Sequence, residues 1–195
     1  LALLQKKERT APEQARKLRQ RIGEIFKFAV ITELVSRNPV ADLDTALKAR
    51  RPGHNAWILI SEIPAFYKAL ERAGSVQIQT AIRLLILTAL RTAELRLMRW
   101  EWVDLESATI TLPAEVMKAR RTHIVPLSRQ AITLLEDQFT RSGYSAFVFP
   151  GRFMDKPLSA SAILKALERI GYKSIATGHG WRTTFSTALN ESGRY

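Results

Sequence analysis

The stretch from Ser75 to Leu90 constrains the fold of this chain most, because it predicts a helix that becomes apolar on nearly all sides towards its end. Such a helix has no face for water, so other elements must surround it at the centre of a core. Arg91 follows at once, and Glu94 comes three residues later, where it can lie beside the arginine. An unpaired buried charge is costly, so a pair is expected. The local pattern leaves open whether that pair is structural or functional.

Other periodicities predict a mainly helical chain with a small antiparallel hairpin, which is an α+β fold. Helical spacing recurs over residues 12–35, 61–74, 94–104, 128–141, 159–170 and 180–191. Thr10 and Glu13 have the spacing of a capping box at the start of the first helix. Residues 108–113 and 121–127 alternate as strands do.

The charge of the chain limits its partners. The 195 residues carry a net charge of +12 and a pI near 10.5, which favours a polyanion: DNA, RNA or an anionic membrane. The membrane is the weakest choice, because the longest apolar run, Leu84–Leu90, is far shorter than the roughly 20 residues that a span needs. There is no cysteine, and the three histidines form no recognised metal motif. We therefore expect a nucleic acid as partner and no metal, and nothing in the sequence points outside the cytoplasm.

Basic residues concentrate in three segments that are candidates for contact with a nucleic-acid backbone. They are the polar face of the helix over 12–35, the tip of the hairpin at 118–121, and residues 48–56. The first two are either solvated surfaces or phosphate contacts. The third contains proline and glycine without periodicity, which predicts a linker between two domains. The cations concerned are Arg16, Lys17, Arg50, Arg51, Arg120 and Arg121.

Four further residues suit chemistry on a phosphodiester. Arg91 and Arg182 lie about half the chain apart, and each guanidinium can grip two phosphate oxygens at once. Lys118 and His179 can transfer a proton near a leaving oxygen. These groups can act together only if the fold brings them around one anion-sized space.

The motifs that contain these residues resemble those of the tyrosine recombinases, specifically the phage-type integrases of prophages and genomic islands. Thr88–Leu95 resembles the first arginine box of that family, and Met117–Ser128 resembles the hairpin that bears its lysine. Val148–Pro150 resembles the next core segment, and His179–Arg182 resembles the His-x-x-Arg box. The four occur in the family's order and at similar spacing. In this chain Ala89 and Ala93 replace frequent glycines and Thr92 a frequent proline, which alters a turn and not the chemistry.

The resemblance implies a catalytic domain of the DNA breaking-rejoining type over residues 57–195, preceded by a linker at 48–56. Residues 1–47 would be the end of a helical core-binding domain that lies across DNA. The implied partner is double-stranded DNA at attachment sites. The full-length protein would act as a tetramer on that DNA in the bacterial cytoplasm or nucleoid, and the present chain would be a monomer in solution without membrane contact.

The resemblance also implies a mechanism. A tyrosine attacks the DNA phosphate and forms a 3′-phosphotyrosyl ester, which keeps the bond energy, so that no cofactor is needed. Arg91 and Arg182 would hold the non-bridging oxygens and Glu94 would orient Arg91. Lys118 would protonate the leaving 5′-oxygen, and His179 would assist with proton transfer or phosphate contact.

The nucleophile itself is expected beyond the residues present. Tyr195 comes 13 residues after Arg182, which corresponds to roughly 20 Å along a helix. That is too far for both groups to reach one phosphate. We therefore expect a recombinase fragment that binds DNA without cleaving it. Two alternatives remain: a non-catalytic DNA-binding module derived from a recombinase, and a basic RNA-binding protein in which Arg91 and Arg182 have no special role.

Overall fold

The computed structural model describes residues 1–43, 46, 57–173, 180–191 and 193. They belong to two compact units, Leu1–Gly53 and His54–Tyr195. Among the site residues expected from the sequence, Arg50, Arg51 and His179 lie outside the described residues, as does Tyr195.

The first unit is built on two helices that pack against each other, α1 (Ala2–Thr10) and α2 (Pro12–Ile31). The predicted capping box is wrong. Thr10 is the last residue of α1, and its hydroxyl donates to the carbonyl of Lys7 (3.3 Å). Proline at the first position of α2 starts that helix instead, since its fixed φ suits a helical N-terminus.

The centre of the second unit is α4 (Val76–Thr88), as the apolar sequence predicts. Ser75 caps it by accepting a hydrogen bond from the Ile78 amide (3.4 Å). Its buried side chains include Ile82, Leu84 and Leu85, and other helices pack around it. These helices are α5 (Thr92–Arg96), α6 (Arg129–Ser142), α7 (Ala162–Arg169) and α8 (Gly180–Glu191).

One more helix, α3 (Ile63–Leu70), precedes α4, after a 3₁₀ turn at Ile60–Glu62. The helix predicted over 61–74 is therefore shorter at both ends. The Glu62 carboxylate accepts from the Leu59 amide (2.9 Å) and so closes the entry to the 3₁₀ turn.

The predicted hairpin is present and has a third strand. The strands are β1 (Val103–Asp104), β2 (Thr109–Leu112) and β3 (His123–Pro126), antiparallel in the order β1-β2-β3. One face buries Ile110, Leu112 and Val125 against the helices. The fold class, mainly α with a small antiparallel sheet, is as expected.

The helix predicted over 94–104 is wrong in its second half. After α5 ends at Arg96, Arg99 pairs with Phe147 in a β-bridge, and the Trp100 amide donates to the Ala146 carbonyl (3.1 Å). Arg99 is therefore extended, Trp100–Trp102 form a 3₁₀ turn, and pairing with the apolar segment Phe147–Pro150 replaces the continuous helix that the pattern predicts. Among the described helices, none combines the length and apolarity that a bilayer crossing requires.

Candidate functional site

Arg91 occupies the sharp turn between α4 and α5. Helix α4 ends at Thr88, the next residue, Ala89, has a left-handed backbone (φ 50°), and Arg91 is extended as the residue before α5. Glu94 lies one turn into α5 with 3% of its side chain exposed. Its Oε2 accepts from the Arg91 amide (2.8 Å), and its Oε1 accepts from the Arg91 guanidinium (2.5 Å).

This arrangement leaves part of the guanidinium free. The Arg91 side chain is 42% exposed, whereas its partner Glu94 is buried. Glu94 therefore fixes the arginine from the protein side while part of the Arg91 side chain stays exposed to solvent. A guanidinium has five N–H donors, so an anion can be bound without breaking the pair.

Arg182 reaches the same turn from the far end of the chain. It lies in the first turn of α8, and its Nη1 donates to the carbonyl of Ala89 (2.9 Å), a residue 93 positions earlier. The last carbonyls of a helix have no donor within the helix, so that of Ala89 is available to the arginine. Because Ala89 comes two residues before Arg91, the fold brings both arginines to one end of α4.

The start of α8 is fixed by buried side chains. Trp181 is 1% exposed, and its ring lies 4.7 Å from that of Phe66 on α3. Thr184 is also buried and bonds to the backbone of Ile58. Arg182 is thus carried by a firmly packed turn, and the half-buried guanidinium projects from it towards the end of α4.

Lys118 stands apart from this cluster in its contacts. It is exposed in the connection between β2 and β3, after a 3₁₀ turn at Ala114–Val116. Within the part of the chain that the structure describes, its ammonium makes no hydrogen bond or ion pair, to the arginines or to any other group. Arg120 and Arg121 are exposed beside it, and Arg120 has a left-handed backbone (φ 49°).

The expected cations of the first unit differ from each other. Lys17 is exposed, whereas Arg16 is 24% exposed and pairs with Glu13 (3.1 Å). Lys17 and Arg21 line one side of a shallow depression of about 300 Å³, and Lys7 of α1 contributes to it. Lys7 was not predicted as part of this surface, because the sequence pattern did not indicate α1.

Two matches cover nearly all of the chain. Residues 56–194 match the family described as "Phage integrase family", and residues 1–46 match "Phage integrase central domain". The chain belongs to the phage integrase family. The resemblance inferred from the four motifs is therefore confirmed at the level of the family.

Individual relatives show how much of an integrase is present. The chain is 94% identical over all its 195 residues to prophage integrase IntZ of Escherichia coli strain K12, and covers 48% of that protein. It is 43% identical over 188 residues, 94% of the chain, to the integrase of Shigella phage Sf6, and covers 49% of it. The chain thus spans about half the length of these relatives.

A solved structure shares the fold at low sequence identity. The integrase of transposon Tn1549 (residues 82–397), in complex with circular intermediate DNA, superposes with a TM-score of 0.77 at 15% identity. The match covers 100% of the present chain and 72% of that solved chain. The two-arginine turn of the present chain is therefore set within a fold that this enzyme also has.

The contact that holds Arg182 was not predicted from the sequence. The acceptor that holds Arg182 is the main-chain carbonyl of Ala89. Every residue has such a carbonyl, so the sequence does not indicate which one accepts the bond. The one available indication was indirect: Ala89 occupies a position where glycine is frequent in the motif, which points to an unusual backbone conformation.

Proposed function

We propose that the protein containing this chain is a site-specific DNA recombinase, a prophage or genomic-island integrase that cuts and rejoins DNA through a 3′-phosphotyrosyl intermediate. The observation that carries the proposal is the bond from Arg182 to the Ala89 carbonyl, beside the Arg91–Glu94 pair. It supports a shared site for two guanidinium groups drawn from remote parts of the sequence. Two such groups match the non-bridging oxygens of a phosphodiester.

The two arginines and Glu94 have different roles in the reaction. As the phosphorus becomes five-coordinate, charge builds on its non-bridging oxygens, and guanidinium groups already in position stabilise it without reorganising. Arg91 and Arg182 take this role. Glu94 binds Arg91 from behind, so its contribution is to position the arginine, and it does not contact DNA.

Lys118 is the proposed general acid. It protonates the 5′-oxygen as the P–O bond to that oxygen breaks and the bond to the tyrosine oxygen forms. Its exposed place in the β2–β3 connection is compatible with insertion beside bound DNA. His179 assists with proton transfer or phosphate contact, a role that rests on the resemblance because this residue lies outside the described part of the chain.

DNA binding is proposed to involve both units. Residues 1–47 form the end of the helical core-binding domain, 48–56 the linker and 57–195 the catalytic domain, incomplete at its C-terminus. Their phosphate contacts are Arg16, Lys17, Arg50, Arg51, Arg120 and Arg121. Of these, Arg16 is the weakest candidate, because Glu13 already neutralises it. The partner is double-stranded DNA at attachment sites, bound by a tetramer of the full-length protein, while the 195-residue chain is a monomer in solution without membrane contact.

The test uses the full-length protein and a nicked duplex that carries the junction sequence from one end of its own prophage. We expect a covalent protein–DNA adduct that resists denaturant. Arg182→Lys keeps the charge and loses the two-pronged grip, so adduct formation should fall by at least about 100-fold. An active enzyme that is indifferent to this change would contradict the assignment.

The 195-residue chain provides a separate test. It should retard the same duplex in a gel, with an affinity that falls steeply as salt rises, and form no adduct. An adduct with this chain would disprove the proposed location of the nucleophile. If the full-length protein binds DNA but forms no adduct, the alternative of a non-catalytic DNA-binding module is supported.

A further inference from the structure

A single hydroxyl joins helix α8 to the beginning of the second unit. The Oγ1 of Thr184 donates to the carbonyl of Ile58 (2.9 Å) and accepts from the amide of the same residue (3.3 Å). The two residues are 126 positions apart. Both are almost fully buried, with 3% of Thr184 and 1% of Ile58 exposed.

The Thr184 hydroxyl both donates and accepts a hydrogen bond. It can donate one hydrogen bond and accept two. The carbonyl of Gly180 is also near, at 3.3 Å, but the Ile58 carbonyl is closer and takes the proton. One side chain therefore satisfies both main-chain polar groups of a buried residue, groups that cannot be left without partners.

The position of Thr184 on α8 relates this clamp to Arg182. Two residues correspond to about 200° of helical rotation, so the two side chains leave α8 on nearly opposite sides. Arg182 reaches the end of α4, and Thr184 reaches the segment that begins the second unit, five residues after Gly53. The rotation of α8 about its axis decides where the Arg182 guanidinium points. The contacts of Arg182 and Thr184 hold α8 from two sides.

We propose that Thr184 is a positioning residue for Arg182: its hydroxyl clamp on Ile58 sets the rotation of α8 and thereby aims the guanidinium at the scissile phosphate. The inference rests on the proposed recombinase function. Thr184 itself is buried and does not contact DNA. Without the hydroxyl, α8 can rotate to relieve the unpaired groups of Ile58, and the guanidinium of Arg182 then moves away from its place at the Ala89 carbonyl, two residues before Arg91.

Three substitutions of Thr184 and one control substitution separate this role from a purely structural one. Thr184→Val keeps the size and shape of the side chain and removes the hydroxyl. Thr184→Ser and Thr184→Ala form a second pair, since both lose the methyl group and only the serine keeps the hydroxyl. Thr187→Val is the matched control: it makes the same chemical change in the same helix at a half-buried hydroxyl for which no hydrogen bond is found among the described residues.

The experiment measures single-turnover cleavage of the prophage-junction duplex by the full-length variants, well below their melting temperatures, with DNA affinity recorded in parallel. We expect Thr184→Val to lower the cleavage rate by about 10- to 100-fold, because a misplacement of about 1 Å has an effect of this size. The affinity should stay within about twofold, since most phosphate contacts are unaffected. Thr184→Ser and Thr187→Val should cleave at nearly the wild-type rate.

The outcomes distinguish this inference from the proposed function. If the wild type cleaves, Arg182→Lys is impaired and Thr184→Val cleaves normally, the clamp has no positioning role and the inference is wrong. A lower melting temperature with an unchanged rate would likewise make the clamp merely structural. If the wild type itself forms no adduct, the proposed function fails. Should Thr184→Val not fold, the comparison of serine with alanine decides.

Discussion

The buried carboxylate of Glu94 offers a direct measure of how the site is held together. Glu94→Gln preserves the shape of the side chain and one acceptor oxygen, but replaces the second oxygen by a donor. The variant can retain either the bond from the Arg91 amide or the bond from its guanidinium, and it loses the charge in both cases. We therefore expect the folded state to lose one charge-assisted hydrogen bond.

The size of the effect follows from the burial of the two partners. A hydrogen bond to a charged group contributes about 1.5–3 kcal/mol, and the loss is greatest when a buried group remains unpaired. When the remaining oxygen keeps the Arg91 amide, the group left behind is a guanidinium that is 42% exposed, so water replaces part of the interaction. The lower half of the range, about 1.5–2 kcal/mol, is expected. For a chain of this length that corresponds to a fall in Tm of about 3–8 °C.

A second ion pair provides the control. Lys173 and Glu168 are also separated by 2.5 Å, but both side chains are 53% exposed. Exposed pairs contribute about 0–1 kcal/mol, so Glu168→Gln should have little effect. Urea unfolding of the 195-residue chain, with the slope m required to stay constant, measures both variants. Equal losses for the two substitutions would refute the reasoning, because burial is the main difference between the pairs.

Three further changes test separate parts of the fold and site. Ser128→Ala removes the cap that accepts from the Ala131 amide (3.3 Å), and should lower the free energy of unfolding by about 1 kcal/mol in urea melts. Hydrogen bonds from Ser107 hold the pKa of Asp104 below its ordinary value. Their contribution to the free energy of unfolding is therefore present at pH values above the ordinary pKa and is lost as the pH falls through the lowered pKa. The stability difference between wild type and Asp104→Asn should shrink in melts between about pH 5 and pH 2. Lys118→Ala should leave Tm unchanged, since the exposed ammonium has no partner among the described residues, while full-length cleavage falls by about 100-fold or more.

The sequence predicted those parts of the fold in which local periodicity and tertiary burial agree. The apolar helix up to Thr88 and the hairpin strands around Ile110 and Val125 are examples. It failed where a distant segment decided the local structure. The helical pattern over residues 94–104 is interrupted at Arg99, whose pairing with Phe147 requires an extended backbone, and Trp100–Trp102 then form a 3₁₀ turn. No local pattern contains that information.

The candidate site divides in the same way. The pairing of Arg91 with Glu94 follows from a spacing of three residues and could be predicted. The meeting of Arg182 with the end of α4 depends on a main-chain acceptor 93 residues away, and the Thr184 clamp depends on another main-chain pair. Sequence motifs identify which side chains matter. They do not identify the backbone groups that hold those side chains in place.

Ala89 shows how these two kinds of information meet. A left-handed conformation (φ 50°) costs a non-glycine residue about 1–2 kcal/mol, and glycine is frequent at this place in the motif. Alanine and glycine can thus both occupy this turn. With alanine the left-handed backbone is strained, and the surrounding contacts must offset that strain. The turn aims the Ala89 carbonyl at Arg182 and brings Arg91 out of the helix two residues later. If the helix continued through Ala89, an amide of the helix would bond to this carbonyl and Arg182 would lose its acceptor. The site therefore requires the backbone turn at this position and does not require a particular side chain.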